Sequence, residues 1–172
     1  MESNRPINGR VVLIAIDGSR HSERALRWYA EKLHRPDDAV VLVNVTEPPE
    51  LALGFGMAGM AVAENYTAVI NRAMSEARQL AEVTRNICVE LGICSPDLER
   101  DRNNLRFLER LGRSAGPVIA AVAEEESVDL IVIGSRGSGL VRRTVLGSVS
   151  DYVLHHSHKP MVVVPPPTQE QN

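Results

Sequence analysis

The sequence predicts an open α/β fold built on a parallel sheet, and three observations predict it. Apolar, β-branched runs recur along the chain without a polar face, as in strands buried on both sides of a parallel sheet. Between them lie longer stretches whose apolar residues repeat at helical spacing. A glycine-rich segment, Gly134-Ser-Arg-Gly137, follows one apolar run directly and leads over a nine-residue spacer to Gly147-Ser148-Val-Ser150.

Arg10 to Ile16 is nearly continuous in Val, Leu and Ile and reads as the first strand, ended by Asp17-Gly-Ser19. From Ser22 to Leu33, the residues Ala25, Leu26, Tyr29, Ala30 and Leu33 mark one helical face. Asp38 to Val45 is a second buried strand, stopped by Thr46-Glu-Pro-Pro49. Strand, helix and strand make a βαβ unit, whose crossover is expected to be right-handed. Residues 50–63 read as a loop rich in Gly and Met. A long helix follows from about Glu64 to Leu91, with Ile70, Ala73, Met74, Ala77, Leu80, Ala81, Ile87, Cys88 and Leu91 on one side and Gly92 as its C-terminal cap. Ser95 to Asn104 is charged and reads as exposed. Leu105 to Leu111 has the least regular strand pattern, since apolar residues alternate imperfectly with Arg and Glu. Gly116-Pro117 opens the next helix, because Pro is tolerated at the first helical position. That helix buries Val118, Ile119, Val122 and Ala123 and ends in Glu124-Glu-Glu126, read as a solvated helix end. A strand from Asp129 to Ile133, a helix from Val149 to His156 and a strand from Met161 to Val164 complete five strands and four helices in βαβ order. One domain over residues 10–165 is expected, with residues 1–9 and 166–172 as disordered ends.

A chain of 172 residues is long enough for one sizeable core. Its net charge is −3, with acidic and basic residues mixed along the chain, so it carries no electrostatic footprint for nucleic acid or an anionic membrane. Cys88 and Cys94 are too few for a disulfide framework and lack Cys-x-x-Cys spacing; Cys88 falls on a helical apolar stripe and reads as a buried thiol. The N-terminus has no apolar targeting core, and no run approaches the length of a membrane span. The expectation is a soluble, cytoplasmic protein.

The glycine segment carries the chemistry. Glycines let a backbone turn sharply and approach a ligand with no Cβ in the way. The second Gly-Ser pair opens a short helix, whose free N–H groups and positive dipole end favour a phosphate. Strand, glycine turn, spacer and helix start together describe a cradle for nucleotide phosphates.

The spacing G-x-x-G-x9-G-S resembles the ATP-binding signature of the universal stress protein family. Two further segments resemble that family: Val12-Leu-Ile-Ala-Ile-Asp17-Gly-Ser19, like its first strand and aspartate, and His158-Lys-Pro160-Met-Val-Val-Val-Pro165, like its closing strand. The three lie in the family's order and cover the chain from about Arg10 to Pro165. The resemblance implies a Rossmann-like, five-stranded parallel sheet in order 3-2-1-4-5, sandwiched by four helices. It also implies ATP in the crevice where the order reverses, in line with the general rule for open α/β sheets. Asp17 and Gly134 are then expected to face each other across that crevice. The implied nucleotide residues are Ala15, Asp17, Val45, Gly134, Ser135, Arg136, Gly137, Gly147, Ser148, Val149 and Ser150. The resemblance implies that Asp17 lies near the ribose and any Mg²⁺ carried with ATP, and that the backbone at Val45 holds adenine. A homodimer through the last strand is implied as well.

Each residue also has a plainer reading. Asp17 can end a strand and bond locally, as Asp before Gly often does. Gly134, Gly137 and Gly147 can be turn glycines, although their joint spacing favours the phosphate. Ser148 can cap the helix as well as supply a hydroxyl, and Ser150 can supply another. Arg142 and Arg143 fall in the spacer, where solvated arginines are the default. Gly54-Phe-Gly56-Met-Ala-Gly59 fits G-x-G-x-x-G but does not follow a strand directly, so a flexible loop outweighs a dinucleotide fingerprint. His155, His156 and His158 suit a helix C-terminus better than a metal, since adjacent helical residues point apart.

The functional expectation is an ATP-binding, homodimeric stress-response module rather than a fast enzyme. No general base stands out, and no Walker lysine is present. The alternatives are a nucleotide-free dimerising interaction protein and a slow Mg²⁺-dependent ATPase.

Overall fold

The computed structural model describes residues 9–47, 59–97, 104–135 and 146–167, with backbone alone at 59–67 and 70. The disordered ends expected at 1–9 and 166–172, the loop around Gly54 and the spacer with Arg142 and Arg143 lie wholly or mostly outside these residues, as does the middle of Ser95 to Asn104.

Nine elements alternate: β1 (Val11–Ala15), α1 (Arg20–Lys32), β2 (Ala39–Thr46), α2 (Gly59–Glu90), β3 (Leu105–Leu111), α3 (Ala115–Glu125), β4 (Leu130–Gly134), α4 (Ser148–His156) and β5 (Met161–Val164). The strands form one parallel sheet in the order β3-β2-β1-β4-β5. Leu13 sits between Val41 of β2 and Ile131 of β4.

Successive strand residues point to opposite faces, and both faces are covered. Val12, Ile14, Val40, Leu42 and Val132 pack with Ala25, Leu26 and Tyr29 of α1 and Cys88 of α2. Val11, Leu13, Val41, Val43 and Ile131 pack with Ile119, Val122 and Ala123 of α3 and Val153 of α4. Two cores, one per face, explain why β1, β2 and β4 have no polar side.

Several boundaries differ from the sequence expectation. α1 starts two residues early because Ser19 caps it, its Oγ accepting the His21 and Ser22 N–H groups at 3.3 and 3.4 Å. α2 begins at Gly59 rather than near Glu64, so the loop is shorter than expected. Met74 is 41% exposed and leaves the buried side assigned to it, which Ala77 and Cys88 do occupy; Ile70's side chain lies outside the described residues. α3 starts at Ala115, placing Pro117 third rather than first. Its missing N–H is harmless there, because the first four N–H groups of a helix lack intrahelical partners anyway. The acidic end of α3 is not simply solvated: Glu126 pairs with Arg106, Glu124 with Lys159 at 3.4 Å and Glu125 with Arg110 at 3.6 Å.

The C-terminal cap at Gly92 has its physical form in a φ of +70°. The Gly92 N–H donates to Val89 O at 3.1 Å and the Ile93 N–H to Cys88 O at 2.9 Å, a Schellman arrangement. Ile93 and Cys88 share one core, which closes the motif with an apolar contact. Burial pushes the Cys88 thiol up to about 12, with Cys94 adding to the shift, so the thiol is inert at neutral pH. Both cysteines are buried and free.

At the amino end of the sheet, Asp38 ties three elements together. It accepts from Arg10 Nε at 2.7 Å, Tyr29 OH at 2.6 Å and the Arg35 N–H at 3.0 Å. Burial alone raises the Asp38 pKa, but the hydrogen bonds from Arg10, Tyr29 and the Arg35 amide outweigh it and hold the carboxyl below its ordinary value.

Candidate functional site

The strand order reverses at β1, which pairs with β2 on one side and β4 on the other. Chains leaving β1 and β4 therefore diverge to opposite faces and open a crevice at the carboxyl ends of the strands. It holds a cavity of about 360 Å³. Val43, Val45, Ile119, Ile133, Ala15 and Ala115 give it apolar walls, and Asp17, Ser19, His21, Glu47 and the start of α4 give it polar ones.

The turn after β1 is built locally. Gly18 takes φ +74°, and Asp17 Oδ1 accepts the Ser19 N–H at 3.0 Å. Ser22 Oγ accepts the Asp17 N–H at 3.3 Å and donates to Ser19 O at 3.0 Å. Asp17 thus does what its plainer reading says, and its exposed carboxylate also borders the cavity. Nearby, buried Asn44 donates to Ile16 O at 2.9 Å and holds the ends of β1 and β2 together.

Gly134 ends β4 and lines the cavity, but the demand for glycine comes from packing. A Cβ there would collide with the His21 carbonyl at the start of α1. Ser135, expected near the nucleotide, turns away from it. It is 1% exposed, is not among the cavity's walls, and its N–H and Oγ donate to Val164 O at 3.0 and 3.5 Å. Arg136 and Gly137 lie outside the described residues.

Gly147 is the cap of α4, with φ −79° and ψ 161°, and Ser148 is its first residue rather than its cap. The Gly147 N–H donates to Ser150 Oγ at 2.9 Å, and that hydroxyl donates back to Gly147 O at 2.9 Å. This is half of a capping box: glycine has no side chain to offer the first-turn N–H groups of Ser148, Val149 and Ser150. Those residues line the cavity, so a helix start without a side-chain cap faces it. The Ser150 hydroxyl is committed locally; the exposed Ser148 is not buried in that exchange.

Of the residues expected at the site, Ala15, Asp17, Val45, Gly134, Gly147, Ser148, Val149 and Ser150 line one cavity. Sequence reasoning missed Ser19, His21, Ser22, Glu47, Ala115 and Ile119. The available signal was positional, since a helix following a switch-point strand must start at the crevice mouth.

The histidines of α4 have helical partners. His155 Nδ1 lies 2.8 Å from Asp151 O and His156 Nδ1 2.8 Å from Tyr152 O, with the His156 ring stacked on Tyr152 at 4.0 Å.

Residues 9–165 match the model of the universal stress protein family. The chain belongs to that family. A universal stress protein of Mycolicibacterium smegmatis is 25% identical over 89% of this chain and 47% of its own length. One from Methanocaldococcus jannaschii is 26% identical over 89% of this chain and 93% of its own. The chain spans about half to two thirds of the length of the first curated relatives it matches. Among solved structures, a universal stress protein family member from Arabidopsis thaliana with AMP bound superposes with a TM-score of 0.63 at 20% identity, over 94% of each chain.

Proposed function

We propose that this universal stress protein is an ATP-binding regulatory module acting as a cytoplasmic homodimer, folded as one domain over residues 10–165. One observation carries the reading: the glycine-capped start of α4 faces an apolar crevice at the sheet's switch point. A helix start supports a phosphate, and the apolar walls at Val43, Val45 and Ile119 suit a flat base. The cavity's size falls at the lower end of the range for small-molecule sites. The AMP-bound Arabidopsis relative adds support from the same fold.

Mg²⁺ enters with ATP in this reading. Asp17 supplies one carboxylate, and Mg²⁺ is commonly held by one or two carboxylates together with substrate phosphates. When bound, the ion neutralises phosphate charge beside that carboxylate. The chain's own residues bind and orient, and none of the described cavity walls is placed as a dedicated general base. Neither nucleic acid nor membrane is a partner in this reading; among the described residues no helix is long and apolar enough to cross a membrane.

The test is to identify the nucleotide that co-purifies with the protein and to titrate the stripped protein with ATP, with and without Mg²⁺. ATP binding that Mg²⁺ strengthens, and that Asp17→Ala weakens only in the presence of Mg²⁺, is expected. A folded protein that binds no nucleotide refutes the reading and leaves an interaction protein.

A further inference from the structure

We propose that Glu47 selects the base of the bound nucleotide: its carboxylate accepts a hydrogen bond from the 6-amino group of adenine and discriminates against purines that carry a 6-oxo group. The proposal deepens the nucleotide reading above and rests on it.

The first ground is the layout of the crevice. Its walls come in turn from the end of β2 (Val43, Val45 and Glu47), the end of β1 (Ala15 and Asp17), and the end of β4 with the start of α4. Neighbouring strands lie about 4.8 Å apart, so β2 and β4, on either side of β1, are separated by roughly 10 Å. A nucleotide with its phosphates at α4 therefore lays its base toward β2, beside the apolar Val43, Val45 and Ile119.

The second ground is register. Side chains alternate along a strand, which puts position 47 on the same side as Val43 and Val45. β2 stays paired with β3 to its last residue, Thr46 opposite Leu111, and the Gly112 N–H donates to Thr46 O at 3.1 Å. On the other side Asn44 accepts from Thr46 Oγ1 at 3.4 Å while it donates to Ile16 O. Glu47 thus leaves a backbone tied to both neighbouring strands, and it forms an exposed wall of the cavity.

The third ground is chemistry. Apolar walls hold any flat base and cannot tell one from another, whereas an ionised carboxylate accepts hydrogen bonds and donates none. Toward a 6-amino group it meets a donor. Toward a 6-oxo group it meets a second acceptor, and both give up water without a replacement. Arg110, the register partner of Val45, is paired with Glu125 at 3.6 Å. Glu47 itself makes no hydrogen bond or ion pair among the described residues.

Calorimetric titration of wild type, Glu47→Ala and Glu47→Gln with ATP, inosine triphosphate and GTP tests this, with thermal melts checking that each variant folds. Wild type is expected to bind ATP about tenfold more tightly than either 6-oxo nucleotide. The ratio of two triphosphates is the readout, so the general effect of removing a charge near phosphates cancels. Glu47→Ala is expected to bring the preference for ATP over inosine triphosphate below roughly twofold. Glu47→Gln, whose amide donates as well as accepts, is expected to bind inosine triphosphate more tightly than Glu47→Ala does. Equal wild-type affinities for ATP and inosine triphosphate, GTP bound more tightly than ATP, a preference that folded Glu47→Ala keeps, or no gain in the glutamine variant over alanine overturns the proposal while a nucleotide site stands. A wild type that binds none of the three overturns both.

Discussion

Gly147 and Asp38 mark two kinds of residue in this molecule, one assigned to binding in the proposed reading and one to stability. Gly147 has ordinary extended dihedrals, so a methyl group brings no backbone strain. It does bring bulk to the point where, in the proposed reading, a phosphate approaches the N–H groups of α4. Gly147→Ala is expected to melt like wild type but to bind ATP about tenfold more weakly, a loss of about 1.4 kcal/mol, with AMP affected less. Competition titrations with the two nucleotides check it. Asp38 is buried, and its pKa is held down in the folded state. A depressed carboxyl stabilises the fold at pH values above its unfolded pKa of about 3.9, and that contribution is lost as the pH falls through the folded value. Wild-type stability in urea is therefore expected to fall more steeply below about pH 4 than that of Asp38→Asn. At neutral pH the variant is expected to lose about 3–5 kcal/mol, because Arg10 is left facing an amide.

At the scale of elements, β5 shows how an edge is exposed. It pairs with β4 and is the last strand of the sheet. Val162 and Val164 pack into one core and Met161 into the other, whereas Val163 belongs to neither. An apolar edge strand recruits another strand unless a charge blocks it. If the proposed homodimer forms through β5, Val163→Lys is expected to convert it to monomers in light scattering without lowering the melting temperature; an unchanged dimer moves the interface elsewhere. The elements differ in how plainly the sequence displays them. β1, β2 and β4 were legible because burial on both faces leaves long apolar runs. β3 was faint because, as the other edge of the sheet, it carries Arg106, Glu109 and Arg110 among half-buried positions. The start of α2 was missed because Gly59-Met-Ala-Val-Ala offers no capping residue to mark it. The strand order could not be read from periodicity and came from the family resemblance. The site divided in the same way. Gly147 to Ser150 carried a signature, whereas His21, Glu47 and Ala115 reach the cavity from separate strand ends that only the topology brings together.

For the whole molecule, the crevice couples ligand to stability. ATP at a hundred times its dissociation constant is expected to add about 2.7 kcal/mol to the unfolding free energy, read as a rise in melting temperature that grows with nucleotide concentration. Asp38 and its partners close the end of the sheet opposite the crevice, so with saturating ATP present the stability lost through weaker binding in Gly147→Ala and that lost in Asp38→Asn are expected to add. The Val11 N–H reaches Asp129 Oδ2 at 2.8 Å across 118 positions of sequence, so the union of β1 and β4 is a closure of long range. Contacts of such long range are slow to form, because the chain entropy must be surrendered before they reward it. Each wall of the crevice belongs to one side of that union, so no binding site exists until it is complete. In the proposed reading, nucleotide is consequently expected to act as a brake on the way out rather than a guide on the way in, lengthening the lifetime of the native state and leaving the speed of refolding unchanged.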